Sequence, residues 1–463
     1  MNPAKKPNII HISFDSGRQD HMGFAGYGKG TTPFLDSLVK TSAWFKHAYA
    51  TGPGSSVSFV GMFTSTYPLD HGGYGSIGSP RVLLPEALQK AGYTTIGMHS
   101  SPYLSDYFGY NRGWDVFRYL NYFRSAPGNT APMSPGLRRG TAKSKVLKKT
   151  AAGHEWLHGR SPFLASLAKA AERLVLTARK IVKDALHFKP PFYTAEEMNR
   201  ELLHALDGTD GRPVYLWLHY LDAHAPYGLF YRRGKGLLKA LKFHATELSA
   251  FLFGEFPSVF KYIMPLQLST YDDSLRYVDE NIRVLLTALK ERGVLDEDAV
   301  VIIHADHGEE FLEHGSFGHP QKLFNANVQV PLIIHGPKHI RPEAVERPVS
   351  LIDVGPTVLK LAGAPAPGTY KGKDLFNDDE RPVVVQASES AGDLTNRKFT
   401  GIAIIFRGYK FFRWKEKKFL FALGDRIERH NVYETHRDIA DDLERRLAPY
   451  LPVMSEESTP RET

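Results

Sequence analysis

Along the chain, short β-branched apolar runs alternate with stretches of helical period. Asn8 to Phe14 is such a run and ends at Asp15, and Ser16 to Gly23 after it has the composition of a loop. Asp15 is thereby placed at the carboxyl end of a strand. Thr32 opens a helix with Pro33 in its first turn, and Ala50 to Ser56 is a glycine, proline and serine loop before the apolar Phe59 to Phe63. Leu84 to Ala91 is predicted as helix, Thr94 to Met98 and Val214 to Leu218 as strands, Ser269 to Arg292 as a long helix, and Ala299 to Ile303 as a strand. Strands alternating with helices predict an α/β fold with a mainly parallel sheet between helical layers. Past Gly363 the pattern changes to short strands near Val383 to Gln386, Gly401 to Phe406 and Phe419 to Leu423, followed by a helix from Ile439 to Leu447. That predicts a small C-terminal antiparallel domain.

The length, 463 residues, is about three times a typical domain, and the pattern divides it unequally. A catalytic domain is expected over residues 1–365 with an insertion at about 125–205, a small α+β subdomain over 366–454, and an unstructured tail over 455–463. With 42% hydrophobic and 23% charged residues, the composition is globular rather than fibrous or mostly unstructured. No run approaches the 18 or so apolar residues of a membrane span, and the apolar stretch after the basic start is too short for a signal-peptide core. The expected location is cytoplasmic, with peripheral membrane contact open. The absence of cysteine excludes disulfides, thiolate metal sites and a cysteine nucleophile.

The net charge of +8 is unevenly spread. Residues 136–189 carry 13 basic side chains against Glu155, Glu172 and Asp184. Within them Leu164, Leu167, Ala171, Leu174, Ala178, Ile181 and Val182 recur at helical spacing opposite Lys169, Arg173, Lys180 and Lys183. This predicts a basic amphipathic helix over 161–186. Its bland role is to pack its apolar stripe on the body; the functional alternative is contact with an anionic membrane surface or polysaccharide. No nucleic-acid-binding signature accompanies it, so nucleic acid is not expected as a partner. The oligomeric state is open.

Three strand ends carry oxygen and nitrogen ligands. They are Asp15, then Asp222 and His224 within His219 to Tyr227, then Asp306, His307 and Glu309. In a parallel sheet such ends converge on one edge, where ligands bind. These residues, with the segments Ala48 to Gly72, Gly92 to Phe117, Tyr271 to Leu289 and Ser350 to Leu375, resemble the sulfatase family of the alkaline-phosphatase superfamily. The resemblance implies a three-layer sandwich with a small C-terminal antiparallel domain. It puts the nucleophile at Ser55, metal ligands at Asp15, Asp306 and His307, and further catalytic groups at His224 and His319. Where the family's modification motif has a small residue and an arginine, this chain has Val57 and Phe59. Formylglycine at Ser55 is therefore not expected. The family's second aspartate is Ser16, its lysine and histidine fall on Met98 and Ser100, and a later lysine falls on Pro320, with His319 and Lys322 beside it as substitutes.

What remains resembles the superfamily's serine or threonine branch. The expected activity is a metal-dependent hydrolase cleaving a sulfate or phosphate ester, an anionic substrate, through Ser55. One or two divalent ions are expected, among manganese, zinc, magnesium and calcium, and the pairing of Asp306 with His307 favours manganese or zinc. The alternatives are a phosphoryl-group transferase modifying a glycan or lipid, and an inactive sulfatase-like binding protein. His71, His99 and His314 are further histidines that would line the pocket or support it.

Overall fold

The computed structural model describes residues 5–70, 77–78, 80–121, 192–225, 227–228, 257–388 and 399–451, together with 161, 168–169, 172 and 175–176. Its centre is β1, Ile9–Phe14, buried along its whole length as a strand covered on both faces must be. Seven further strands join it: β2 (Ala43–Phe45), β3 (Thr94–His99), β4 (Val116–Tyr119), β5 (Val214–Tyr220), β6 (Val300–Ala305), β7 (Leu332–His335) and β8 (Glu343–Val345). Their order is β8-β2-β7-β6-β1-β5-β3-β4. All neighbours run parallel except β7, which is antiparallel to β2 and β6. The carboxyl ends of β1, β5 and β6 therefore share one edge, with Ser13 level with both His219 and His304.

Helices cover both faces: α1 (Pro33–Leu38), α2 (Ser55–Thr64), α3 (Leu84–Lys90), α4 (Ala195–Leu206), α5 (Pro257–Glu291) and α6 (Val354–Leu361). In α5 the buried Tyr271, Leu275, Val278, Ile282, Leu285 and Leu289 repeat at helical spacing. From Val57 to Thr64, α2 is buried on every side, so it is a core helix. Phe59 lies edge-on to Trp217 at 5.5 Å and to His219 at 4.7 Å.

The C-terminal region is a four-stranded antiparallel sheet, β9 (Val383–Ser388), β10 (Phe399–Phe406), β11 (Tyr409–Trp414) and β12 (Lys417–Ala422), in chain order. It is covered by α7, Arg437–Leu447, through Ala440, Leu443 and Leu447. Strand β11 is absent from the sequence expectation. Arg407 and Gly408, both at positive φ, form the two-residue turn that pairs Phe406 with Tyr409.

Other boundaries also moved. Helix α5 starts twelve residues before the expected Ser269 and carries Pro265 inside it. Strand β5 runs on through His219 and Tyr220. In the predicted basic helix, Ala168, Lys169, Glu172, Val175 and Leu176 are helical and Ser161 lies outside regular secondary structure; the remainder lies outside the described residues, as does the tail 455–463. Among the described residues no helix is long and apolar enough to cross a membrane.

Candidate active site

The strand ends build the site. Asp15 extends the β1 ladder through its N–H to Tyr220 O at 2.9 Å, and Asp306 N–H donates to Phe14 O at 3.2 Å. Ser16 then turns the chain with a φ of 57°, a left-handed conformation seldom taken by a non-glycine residue. Gly17 follows where a Cβ would lie 2.2 Å from the Phe14 ring and 2.6 Å from Ala305, so only glycine fits. Oδ1 of Asp306 accepts from the backbone N–H groups of Ser16 (3.2 Å) and His307 (2.8 Å). Its Oδ2 is buried with no hydrogen-bond partner among the described residues. Asp15 accepts from the Ser16 hydroxyl at 2.7 Å and from the Ser55 hydroxyl at 3.2 Å.

Ser55 is the first residue of α2, at the positive end of a ten-residue helix. His307 Nδ1 is 2.8 Å from Gly308 O, so Nδ1 carries the proton and Nε2 turns a lone pair inward. That Nε2 lies 3.3 Å from Ser55 Oγ, 3.5 Å from Asp15 and 3.8 Å from Asp306. His219 enters from β5: its Nδ1 is 3.1 Å from Ser13 Oγ, and its Nε2, buried and without a hydrogen-bond partner among the described residues, is 3.7 Å from Asp15 and 3.9 Å from Asp306.

Burial alone raises both carboxyls. For Asp15 the facing imidazoles of His224, His219 and His307 outweigh burial and hold it well below the ordinary carboxylate range. For Asp306 burial and the Asp15 charge prevail and push it up to about 7. Two adjacent buried carboxylates thus resist ionising together.

A second group of side chains borders the first. The His319 ring lies 4.7 Å from the His307 ring and 5.1 Å from the His224 ring. His319 Nδ1 is 3.3 Å from Glu309 Oε1. Burial opposes ionisation of Glu309, but the facing imidazoles of His319, His224 and His307 prevail and hold its carboxyl low. His224 Nδ1 is bonded to Ala225 O, which leaves Nε2 available. Gln321 Nε2 reaches back to Pro53 O in the loop before Ser55, at 3.4 Å.

The sulfatase family matches residues 7–364, which include every residue of this site. The chain belongs to the sulfatase family. It is similar at 22% identity to an ulvan-active sulfatase of Formosa agariphila, over 99% of this chain and 83% of that protein. Arylsulfatase K of Danio rerio is 30% identical over 35% of this chain; the match spans 33% of that relative's length. Among solved structures, a protein in complex with its substrate D-glucosamine-2-N,6-O-disulfate superposes with a TM-score of 0.68 at 16% identity, covering 98% of this chain and 100% of that one. The phosphonate monoester hydrolase of Agrobacterium radiobacter superposes with a TM-score of 0.61 at 18% identity, covering 96% and 95%.

Against that sulfatase frame, Asp15, Ser55, Asp306, His307, His224 and His319 all come together. Other candidates do not. Asp222 accepts from the N–H of Ala195 at 2.9 Å, so it anchors the start of α4. Lys322 donates to His314 O at 2.8 Å, leans on Glu310 at 3.8 Å and lies 5.8 Å from the ring centre of Trp414 in the C-terminal subdomain. His314 stacks on Phe324 and bonds Ile427 O at 3.1 Å. His99 stacks on Tyr119 and bonds Ser101 O at 3.0 Å, while His71 lies outside the described residues.

Sequence reasoning missed His219. Phe59, standing where a sulfatase is expected to carry arginine, packs against that imidazole. The signal was the position of His219 one residue beyond a strand predicted to end at Leu218.

A divalent cation fits this sulfatase site. Ligand atoms of Asp15, His219 and Asp306 lie within 4.8 Å of one another, with His307 Nε2 beside them. An orphaned Asp306 oxygen facing an orphaned imidazole nitrogen is a pairing that a cation satisfies.

Proposed function

We propose that the chain hydrolyses a sulfate or phosphate ester through the unmodified hydroxyl of Ser55. The observation that carries this reading is the placement of Ser55 Oγ, 3.2 Å from Asp15 and 3.3 Å from His307 Nε2 at a helix N-terminus. Asp15, Asp306, His307 and His219 are the residues that would hold a divalent cation, which supplies Lewis acidity that lowers the hydroxyl's pKa. Its double charge balances the two carboxylates, so an anionic ester is not repelled.

Ser55 Oγ attacks the sulfur or phosphorus as its proton passes to Asp15 Oδ2. The bond to the leaving oxygen breaks as protonated His224 donates a proton to that oxygen. His224 then takes a proton from an incoming water, attack by that water frees the inorganic anion, and Asp15 returns its proton to Oγ to restore Ser55. His319, with Glu309 behind it, presents an imidazole to the ester's oxygens. This does without a lysine or arginine; among the described residues none contacts Ser55, Asp15 or Asp306.

The likeness to a phosphonate monoester hydrolase supports keeping phosphorus esters beside sulfate esters. The test is turnover of aryl sulfates, aryl phosphate monoesters and aryl phosphodiesters by metal-loaded protein and by Ser55→Ala, with mass spectrometry of the Ser55 peptide. Turnover that requires an intact serine supports the reading. Loss of two hydrogens at Ser55 overturns the hydroxyl chemistry, and undiminished turnover by Ser55→Ala overturns the nucleophile.

A further inference from the structure

His319 is delivered to the site by a segment, His319 to Phe324, that forms neither helix nor strand. A segment of that kind takes its position from the groups it is bonded to. The C-terminal sheet supplies several of them. At the end of β11 the Trp414 indole N–H donates to Gln321 O at 2.8 Å, and Lys322 leans on the same ring. Leu323 and Phe324 are buried in an apolar cluster with β9 to β12, Phe324 lying edge-on to Phe412 at 5.1 Å. Asn325, just past the segment, is held from two sides: the Lys410 ammonium donates to its Oδ1 at 2.8 Å, and its N–H donates to Glu428 Oε2 at 2.5 Å.

Lys410 and Glu428 are themselves 2.8 Å apart, each side chain only 1% exposed. A buried ion pair adds little net stability, because desolvation of the two charges offsets their attraction; its attested use is to fix position and register. Glu428 also has a φ of 54°, a left-handed conformation that a non-glycine residue keeps only where its surroundings over-determine it. The same sheet meets the loop before Ser55. Gln386 in β9 donates its N–H to Thr51 O at 3.0 Å, and a Cβ on Gly52 would lie 2.7 Å from Gln386 O, so the backbones approach closely. Gln321 joins the two places, since its carbonyl takes the Trp414 bond while its side-chain amide donates to Pro53 O at 3.4 Å. The His319 segment and the loop leading to Ser55 are thus held against one sheet.

We propose that the C-terminal sheet sets the position of His319 relative to Ser55, with Trp414, Lys410 and Glu428 as positioning residues acting through the His319 segment. A displacement of ~1 Å in a reacting group can cost up to about 100-fold in rate, even when its cause lies far from the chemistry. The proposal rests on the ester-hydrolysis reading for its effect on turnover, whereas the bracing itself stands on the bonds of Gln321 and Asn325.

Two variants test it. Trp414→Phe removes one N–H donor and keeps an aromatic ring; Lys410→Met with Glu428→Gln removes both charges together, so that neither is left buried alone. On an aryl ester, each should lower kcat roughly tenfold, with KM within about twofold and metal content unchanged. In a His319→Ala background either change should add less than about twofold, because the group it positions is already gone. NMR of histidine-labelled, zinc-loaded protein gives a readout free of turnover. The His319 ring signals, assigned by their loss in His319→Ala, should move in both variants while those of His11 and His304 stay in place. Thermal melts establish folding, and Trp414→Phe keeps the test open if the paired variant unfolds. Unmoved His319 signals, an undiminished kcat in an active enzyme, or losses that multiply with that of His319→Ala overturn the proposal. Moved His319 signals in a protein that turns over no ester would overturn the hydrolytic reading and leave the bracing intact.

Discussion

Two pairs of buried histidines lie in and just beyond the central strands β1, β5 and β6 and have opposite surroundings. His11 and His304, inside the sheet, are 2.8 Å apart through their Nε2 atoms; His11 Nδ1 meets Tyr215 OH at 2.9 Å and His304 Nδ1 meets Ala305 O at 2.8 Å. Every ring nitrogen of that pair is matched inside the protein. His219 and His307, at the strand ends, turn Nε2 toward two carboxylates at distances of 3.5 to 3.9 Å, too long for good hydrogen bonds. The first pair is closed; in the second, His307 Nε2 meets the Ser55 hydroxyl at 3.3 Å and, among the described residues, His219 Nε2 has no hydrogen-bond partner, so this pair is open. Residue type and burial are shared, so what separates structure from function is whether the protein itself satisfies the polar atoms.

The strongest way to break the comparison is at the open pair's carboxylates. Asp306→Asn should lower turnover by at least ~10³-fold and remove the bound metal together, whereas Ser55→Ala should lose as much turnover and keep the metal. Elemental analysis beside the kinetics decides it, and metal retained at full occupancy in Asp306→Asn would disqualify that ligand.

Next in size, His219→Gln should weaken metal binding by about 10- to 100-fold, a range seen when groups supporting a metal are altered. His304→Gln should leave metal content unchanged and cost about 1–3 kcal/mol of stability, because it strands His11 in the sheet. If the two substitutions act alike, the distinction between closed and open pairs fails.

Two smaller effects are pH profiles. Burial lowers His304 to about 4, against about 6.5 for a free histidine. The unfolded chain then binds more protons between those values, so this contribution to stability is fully present above pH 6.5 and is lost as the pH falls toward 4. His304→Gln should flatten that part of a denaturation-against-pH curve.

Asp306 runs the other way. Without a cation its carboxyl is raised to about 7, so the folded state keeps a proton that the unfolded state has released above about pH 4. Metal-free protein should therefore lose stability as the pH rises from about 4 to 7, and a chelator should lower the melting temperature more at pH 8 than at pH 5. An equal chelator effect at both would show that Asp306 is not held by the metal.

Much of the fold was legible because its central strands are buried on both faces. Ile9 to Phe14 and Val300 to Ala305 read as nearly unbroken apolar runs, and only a covered parallel sheet stabilises such runs. Where composition and environment part, the expectation fails. Tyr409 to Trp414 carries two cations, and its strand exists because Phe411 and Phe412 point into opposite apolar clusters. The start of α5 was hidden by Pro265, which as a local signal ends helices. Ser55 was expected in a loop and is the first helical residue, which gives its hydroxyl the helix dipole.

In the site, Asp15, Ser55, His224, Asp306, His307 and His319 were legible through the order and spacing of the segments that resemble the family. His219, the structural use of Asp222 and the diversion of Lys322 were not. By itself the sequence determined the alternation of elements, the strand ends that carry carboxylates and the missing modification motif, since these rest on neighbouring residues and their periodicity. Only the tertiary structure decided which polar atoms find partners. That depends on side chains brought together from β1, β5, β6 and α2, hundreds of residues apart in the chain, and no local pattern encodes which of them is left facing an empty bond.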